Sequence, residues 1–147
     1  MKTNSPINPK ILSRLAELGF TDPTPIQEHA WKYLIEKHQD YVGQAHTGSG
    51  KTIAYGVPLL QRIDAKDKDV QAVVLVPTRE LVVQVAEVVE KLTEDMSTRV
   101  LGVYGGVNIN TQKLLVYEGV DILVGTPGRT MDLALDNVLR FDSVQKL

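Results

Sequence analysis

The stretch that most constrains this chain is Ala45-His46-Thr47-Gly48-Ser49-Gly50-Lys51-Thr52. Tyr41-Val42-Gly43-Gln44 before it reads as a strand, and Ile53-Ala54-Tyr55 after it continues an apolar helical pattern. Strand, glycine-rich turn, then Gly-Lys-Thr opening a helix is the context that a phosphate-binding loop requires. Backbone N–H groups of such a turn come close to phosphate oxygens, which a Cβ would obstruct. The helix beyond offers unpaired N–H groups and the positive end of its dipole to the same anion. Lys51 is then placed to reach the β- and γ-phosphates, and the Thr52 hydroxyl to ligate Mg²⁺. The general pattern begins with glycine, where this chain has Ala45. A glycine-rich connector that binds nothing is the alternative reading.

With 147 residues the chain has room for one domain with a proper core. Its hydrophobic fraction of 43% and charged fraction of 23% are those of an ordinary globular protein. The absence of cysteine excludes disulfide frameworks and thiolate metal sites. Residues 1–6 lack the apolar core of a signal peptide, and no stretch approaches membrane-spanning length, so the expected location is cytoplasmic, with no membrane partner. A net charge of -2 argues against a broad basic patch, which leaves nucleic-acid binding to a few well-placed loops.

Ile11, Leu12, Leu15 and Leu18 predict a first helix stopped at Gly19. Thr24-Pro25-Ile26-Gln27 predicts a second, with Thr24 as cap, proline at the first helical position, Gln27 closing a capping box and an end near Lys37. The helix after the phosphate loop runs to about Arg62, with Pro58 inside it. Residues 65–69 read as a charged surface loop. Ala72–Val76 is an apolar run suited to a strand buried on both faces, and Val100–Tyr104 and Val120–Val124 are read as further strands. Between and after them, helices are expected with Leu81, Val85, Val88 and Leu92 on one face, from Thr111 to Tyr117, and beyond Thr126-Pro127-Gly128 with Met131, Leu133 and Leu135. Strand alternating with helix predicts an α/β fold: a parallel β-sheet flanked by helices in three layers. Ligands bind such sheets at the carboxyl ends of the strands. The phosphate loop lies there, as do three further turns: Pro77-Thr78-Arg79-Glu80, Gly105-Gly106 and Thr126-Pro127-Gly128-Arg129.

These stretches together resemble the first RecA-like domain of a DEAD-box ATP-dependent RNA helicase. Residues 19–27 match the family's Q motif, 45–52 motif I with alanine at its first position, and 77–81 motif Ia. Gly105-Gly106 matches the glycine doublet, and residues 126–129 motif Ib. The resemblance implies that residues 1–147 are part of that helicase ATP-binding domain, truncated before the Asp-Glu-Ala-Asp motif expected after Leu147 and without the second RecA-like domain. It also implies ATP and Mg²⁺ as cofactors, held by Phe20, Thr24, Gln27, Thr47, Gly48, Ser49, Gly50, Lys51 and Thr52. RNA, single-stranded or in a short duplex, would be held by its backbone without sequence preference. Its contacts would be Pro77, Thr78, Arg79, Gly105, Gly106, Thr126, Pro127, Gly128 and Arg129. The family's aromatic residue upstream of the Q motif would fall near Lys2, and no aromatic precedes Phe20.

Several of these residues carry a second reading. Gln27 and Thr24 can cap a helix as well as contact nucleotide, and for Gln27 both roles can hold at once, since backbone and side-chain contacts use different atoms. Phe20 can be core or lie beneath adenine. Arg79 and Arg129 stand near helix starts, where a cation opposes the dipole, and this points to an anionic partner. Thr78 and Thr126 can be caps alone, and Gly105-Gly106 only a turn. Glu80 suits the dipole and reads as structural. The expected function is the ATP- and RNA-binding part of a helicase that separates short duplexes with ATP hydrolysis, this stretch alone being inactive in hydrolysis. The alternatives are a non-catalytic nucleotide-binding or RNA-clamping module, and a P-loop ATPase acting on DNA or protein.

Overall fold

Three apolar runs form a parallel sheet in the order β1-β3-β2: β1 (Ala72–Leu75), β2 (Val100–Val103) and β3 (Ile122–Gly125). The computed structural model describes residues 7–64, 67 and 69–144, which divide into two compact units, 1–62 and 63–147. The expectations placed on residues 1–6, 65, 66, 68 and 145–147 lie outside the described residues.

In the second unit the central strand β3 is buried at every position, as a parallel sheet covered on both faces requires. The register aligns Val73, Leu123 and Leu101 on one face. That face meets Ile109 and Val116 of α5 (Ile109–Tyr117) and Leu133 and Ala134 of α6 (Pro127–Leu135), with Val138 and Leu139 beyond. α4 (Arg79–Thr93) packs on β2 and β3. The path from β1 across to β2 reverses to reach β3, and with crossovers of constant hand this reversal sends the connecting helices to opposite faces. The expected three-layer α/β arrangement is thus found.

Two helical faces differ from the sequence expectation. α4 buries Val82, Val85, Ala86, Val89 and Leu92, whereas Leu81 is exposed. The reason is Gly102 on β2: a Cβ there would lie 3.0 Å from Val82 Cγ1, so the helix docks where the strand has no side chain. On α6 only Leu133 of the expected apolar trio is buried, and Met131 and Leu135 are exposed. Residues two apart cannot share one helical face.

The amino-terminal edge of the sheet is closed by a buried carboxylate. Asp121 accepts hydrogen bonds from the Arg99 backbone N–H at 2.7 Å, from Arg99 Nε at 3.1 Å and from Arg99 Nη2 at 3.0 Å. Its own carbonyl accepts from the backbone N–H groups of Gln71 and Ala72, so one residue joins the starts of all three strands. Asp121 in turn pushes the Arg99 guanidinium further toward its charged form, mainly through these hydrogen bonds.

In the first unit Asn8 caps α1 (Pro9–Glu17), its side-chain oxygen accepting from the Lys10 N–H at 2.9 Å. The helix buries Ile11 and Leu15, and the chain turns away at Gly19 with φ +84. α2 (Pro25–Trp31) runs on into a π-helical turn, Lys32–Glu36, and packs against α3 (Lys51–Leu60), which carries Pro58. The strand expected over Tyr41–Ala45 is not found; these residues are irregular and Val42 is fully exposed. A strand is held by bonds to a neighbouring strand, and the described residues of this unit contain none.

Because the Asp121 carboxylate is fully buried, Asp121→Ala should leave the Arg99 backbone N–H without its partner, while the half-exposed Arg99 guanidinium turns to solvent. The expected loss is about 1–3 kcal/mol of stability, read by urea denaturation. A loss below about 1 kcal/mol would mean that the pair contributes no more than a surface ion pair.

Candidate functional site

Residues 24–27 and the phosphate loop form one hydrogen-bonded assembly. Gln27, 3% exposed, stands at the third position of α2. Its Oε1 accepts from the Thr24 backbone N–H at 2.9 Å, and its Nε2 donates to the Gly50 carbonyl at 3.2 Å. The Thr24 hydroxyl donates to the Ser49 carbonyl at 2.8 Å. A single buried amide thus caps α2 through its oxygen and reaches the loop through its nitrogen. Each amide atom keeps further capacity, because Nε2 carries a second N–H and Oε1 a second lone pair.

Gly50 has φ +88, and a Cβ at that position would collide with the Gln27 amide nitrogen. Both its conformation and its neighbours therefore require glycine. The Gly50 carbonyl also accepts the Ala54 N–H at 3.0 Å, the first bond of α3. Lys51 Nζ donates to the carbonyls of Ala45 at 2.7 Å and His46 at 2.8 Å, so its ammonium lies along the inner side of the turn. Thr52 hydrogen-bonds to Tyr55; burial pushes the Tyr55 hydroxyl above its usual pKa, and this bond draws it partly back. Thr47 and Gly48 are exposed.

The loop fits a phosphate group. Ser49 Oγ is buried without a hydrogen-bond partner, one residue before the Gly50 cap of α3. Beside the loop lies a cleft of about 580 Å³, bounded by Thr24, Pro25, His29, Tyr41, Gln44 and the loop itself. Tyr41, which the sequence suggested only as part of a strand, stacks on Tyr33 with ring centroids 5.8 Å apart. Phe20, at 42% exposure, is not core. No cluster of acidic, histidine or cysteine side chains among the described residues is arranged to hold a metal ion, so a metal here would depend on Thr52 and on the phosphates it accompanies.

In the second unit the register sets Leu75, Gly125 and Val103 side by side, and each is followed within two residues by one of the three turns singled out in the sequence. Thr78 caps α4, its hydroxyl oxygen accepting the Leu81 N–H at 3.3 Å. Glu80 is held below the usual carboxylate range, first by its own backbone N–H and then by the Thr78 hydroxyl, in keeping with a structural role. Thr126 makes no such side-chain cap, and Pro127 and Gly128 are exposed. Arg79 lies over the Tyr104 ring at 4.8 Å, beside Gly106, whose φ is +84. Pro77, Thr78, Arg79 and Gly105-Gly106 thus lie exposed on one edge of the sheet.

Arg129 differs from this expectation. Its side chain is only 11% exposed, and its guanidinium donates from Nη1 to Gln112 Oε1 at 2.7 Å and from Nη2 to the Val107 carbonyl at 3.1 Å. Sequence reasoning missed Gln112, a buried glutamine on α5 that no motif or periodicity distinguishes. Tyr104 was also missed, although an aromatic residue directly before a glycine pair was a usable signal.

The model of the family described as "DEAD/DEAH box helicase" matches residues 24–147. The ATP-dependent RNA helicase CshA of Listeria monocytogenes is 43% identical over 96% of this chain. The DEAD-box ATP-dependent RNA helicase CshA of Bacillus subtilis is 37% identical over 91% of it. The chain spans 27% of the length of each. Among solved structures, the yeast DEAD-box splicing factor Prp28 is similar with a TM-score of 0.88 and 31% identity, covering 98% of this chain and 36% of its own. A DEAD box protein from Methanococcus jannaschii gives 0.86 and 33%, covering 96% of this chain and 38% of its own. The alanine that opens the phosphate loop, the glutamine that braces it and the three turns in register across the sheet thus occur in a chain that belongs to the DEAD/DEAH box helicase family.

Proposed function

We propose that residues 1–147 are the ATP-binding and RNA-backbone-binding part of the first RecA-like domain of an ATP-dependent RNA helicase. In this reading the Q motif is residues 19–27 and the phosphate loop is 45–52. The observation that carries it is the pair of hydrogen bonds from Thr24 and Gln27 to the carbonyls of Ser49 and Gly50. Through them an adenine-reading element and a phosphate-binding element are joined. The names of the bacterial relatives favour RNA over DNA or protein as the partner.

ATP with Mg²⁺ would supply the cleavable phosphoanhydride. Gly48, Ser49 and Gly50 present backbone N–H groups to phosphate, Lys51 adds a positive charge, and the Thr52 hydroxyl serves as a metal ligand. Gln27 presents its remaining donor and acceptor to the base, beside Thr24 and Phe20. Arg79 and the amides about Gly105-Gly106 and Thr126-Pro127-Gly128 hold the RNA backbone without reading sequence. The carboxylates that activate water and the arginines of a second RecA-like domain belong to the longer, cytoplasmic protein, which separates short duplexes as it hydrolyses ATP.

Titration of the 147-residue chain with ATP should give saturable binding and no steady phosphate release. Lys51→Ala should weaken that binding about tenfold to a hundredfold with or without Mg²⁺, because a charge-assisted contact is worth about 1.5–3 kcal/mol. Thr52→Val should weaken only the Mg²⁺-dependent part. Equal losses for the two variants in EDTA would contradict these roles.

Gln27→Ala should lower both stability and base preference. Removing the amide leaves the Thr24 N–H and the Gly50 carbonyl without it, at a cost of about 1–3 kcal/mol. The preference for ATP over GTP should also largely vanish. A lowered melting temperature with the ATP/GTP ratio intact would make Gln27 a brace and nothing more.

A further inference from the structure

Two residues hold the Tyr104–Val107 turn from beneath. Gln112, 5% exposed on α5, donates from Nε2 to the Tyr104 carbonyl at 3.3 Å. Its Oε1 accepts from Arg129 Nη1 at 2.7 Å, and Arg129 Nη2 donates to the Val107 carbonyl at 3.1 Å. The chain of bonds runs Tyr104, Gln112, Arg129, Val107 and closes around Gly105-Gly106. A glycine pair is otherwise free to sample many conformations, and its fixed geometry costs backbone entropy that such a clamp offsets. Arg79 stands on the outer side of the same turn, over the Tyr104 ring.

We infer that Gln112 and Arg129 are positioning residues that hold Gly105-Gly106 in the conformation that meets the RNA backbone, and that Arg129 acts through this turn rather than on a phosphate of its own. The inference rests on the RNA-binding reading above and deepens it. Three observations carry it. The Arg129 side chain is 11% exposed, too little for a guanidinium that meets a solvated phosphate chain. Its two terminal nitrogens are each directed at a protein oxygen, and Nε faces Asp132 at 3.8 Å. Gln112 is a buried amide whose nitrogen bonds to this turn and whose oxygen bonds to Arg129, the turn's other support. Arg79, by contrast, is exposed and close to Gly106.

The test uses the full-length protein and an oligouridine strand, with affinity measured across salt concentrations. Gln112→Met removes both polar atoms at similar volume and should weaken binding about five- to tenfold at fixed salt. The slope of log affinity against log salt should stay unchanged. Arg129→Ala should do the same, and the double variant should be no weaker than the weaker single one. Gln112→Glu, which keeps the acceptor for Arg129, should recover part of the loss. Arg79→Ala, which removes a direct phosphate contact, should flatten the slope by about 0.7. The inference is overturned if Arg129→Ala flattens the slope by that amount, or if Gln112→Met leaves affinity intact. If the unsubstituted protein binds without salt dependence, the RNA reading itself fails. Amide hydrogen exchange in the absence of RNA then decides the remainder. Gln112→Met and Gln112→Glu should each speed exchange at residues 105–108, about tenfold for the methionine variant, with β2 and β3 unchanged. Unaltered exchange at that turn would also overturn the inference.

Discussion

One buried amide ties the first unit together. Gln27 joins the first turn of α2 to Gly50 of the phosphate loop, accepting from the Thr24 N–H and donating to the Gly50 carbonyl. A buried amide is costly unless both of its ends are satisfied, so its partners must stay in place for the unit to be stable. Gly50 is consequently restricted twice, by its positive φ and by the space that the Gln27 side chain occupies. In the proposed reading, a contact that answers the base is thereby linked to the geometry that answers the phosphates, so that occupancy by the correct nucleotide would differ from occupancy by phosphate alone.

The second unit solves its positioning problem with register. Parallel strands that end level with one another bring Pro77, Gly105 and Thr126 to one edge, although they lie far apart in sequence. The opposite edge is closed by Asp121 and Arg99, so the ion pair that stabilises the sheet stands away from the face proposed to meet RNA. Stability and binding are assigned to opposite ends of the same strands, as is usual where loops at the carboxyl ends carry function.

Much of this was legible in the sequence because the signals were local. Apolar runs gave β1, β2 and β3 to within two residues, and Thr78 sits where its side chain caps a helix. What was not legible depends on partners. The run at Tyr41–Ala45 has strand composition but no neighbouring strand among the described residues of its unit, and Val42 is left in solvent. The α4 face was misplaced by one residue because the deciding feature, Gly102, lies on β2, far along the chain. Arg129 looked like a free cation because nothing in its motif reveals that Gln112 and the Val107 carbonyl receive its nitrogens. The position of Gln27 was readable from its spacing to Thr24, whereas its bond to Gly50 was not, since 23 residues separate the two.

The most direct test of the central claim is a nuclear magnetic resonance titration with ADP and Mg²⁺, following backbone amides together with the side-chain NH₂ of Gln27. The account predicts that the amides of Gly48, Ser49, Gly50 and Lys51 and the Gln27 NH₂ shift together along one saturable curve, because one hydrogen-bonded assembly senses both ends of the nucleotide. Shifts confined to the loop, with the Gln27 side chain unmoved, would contradict it.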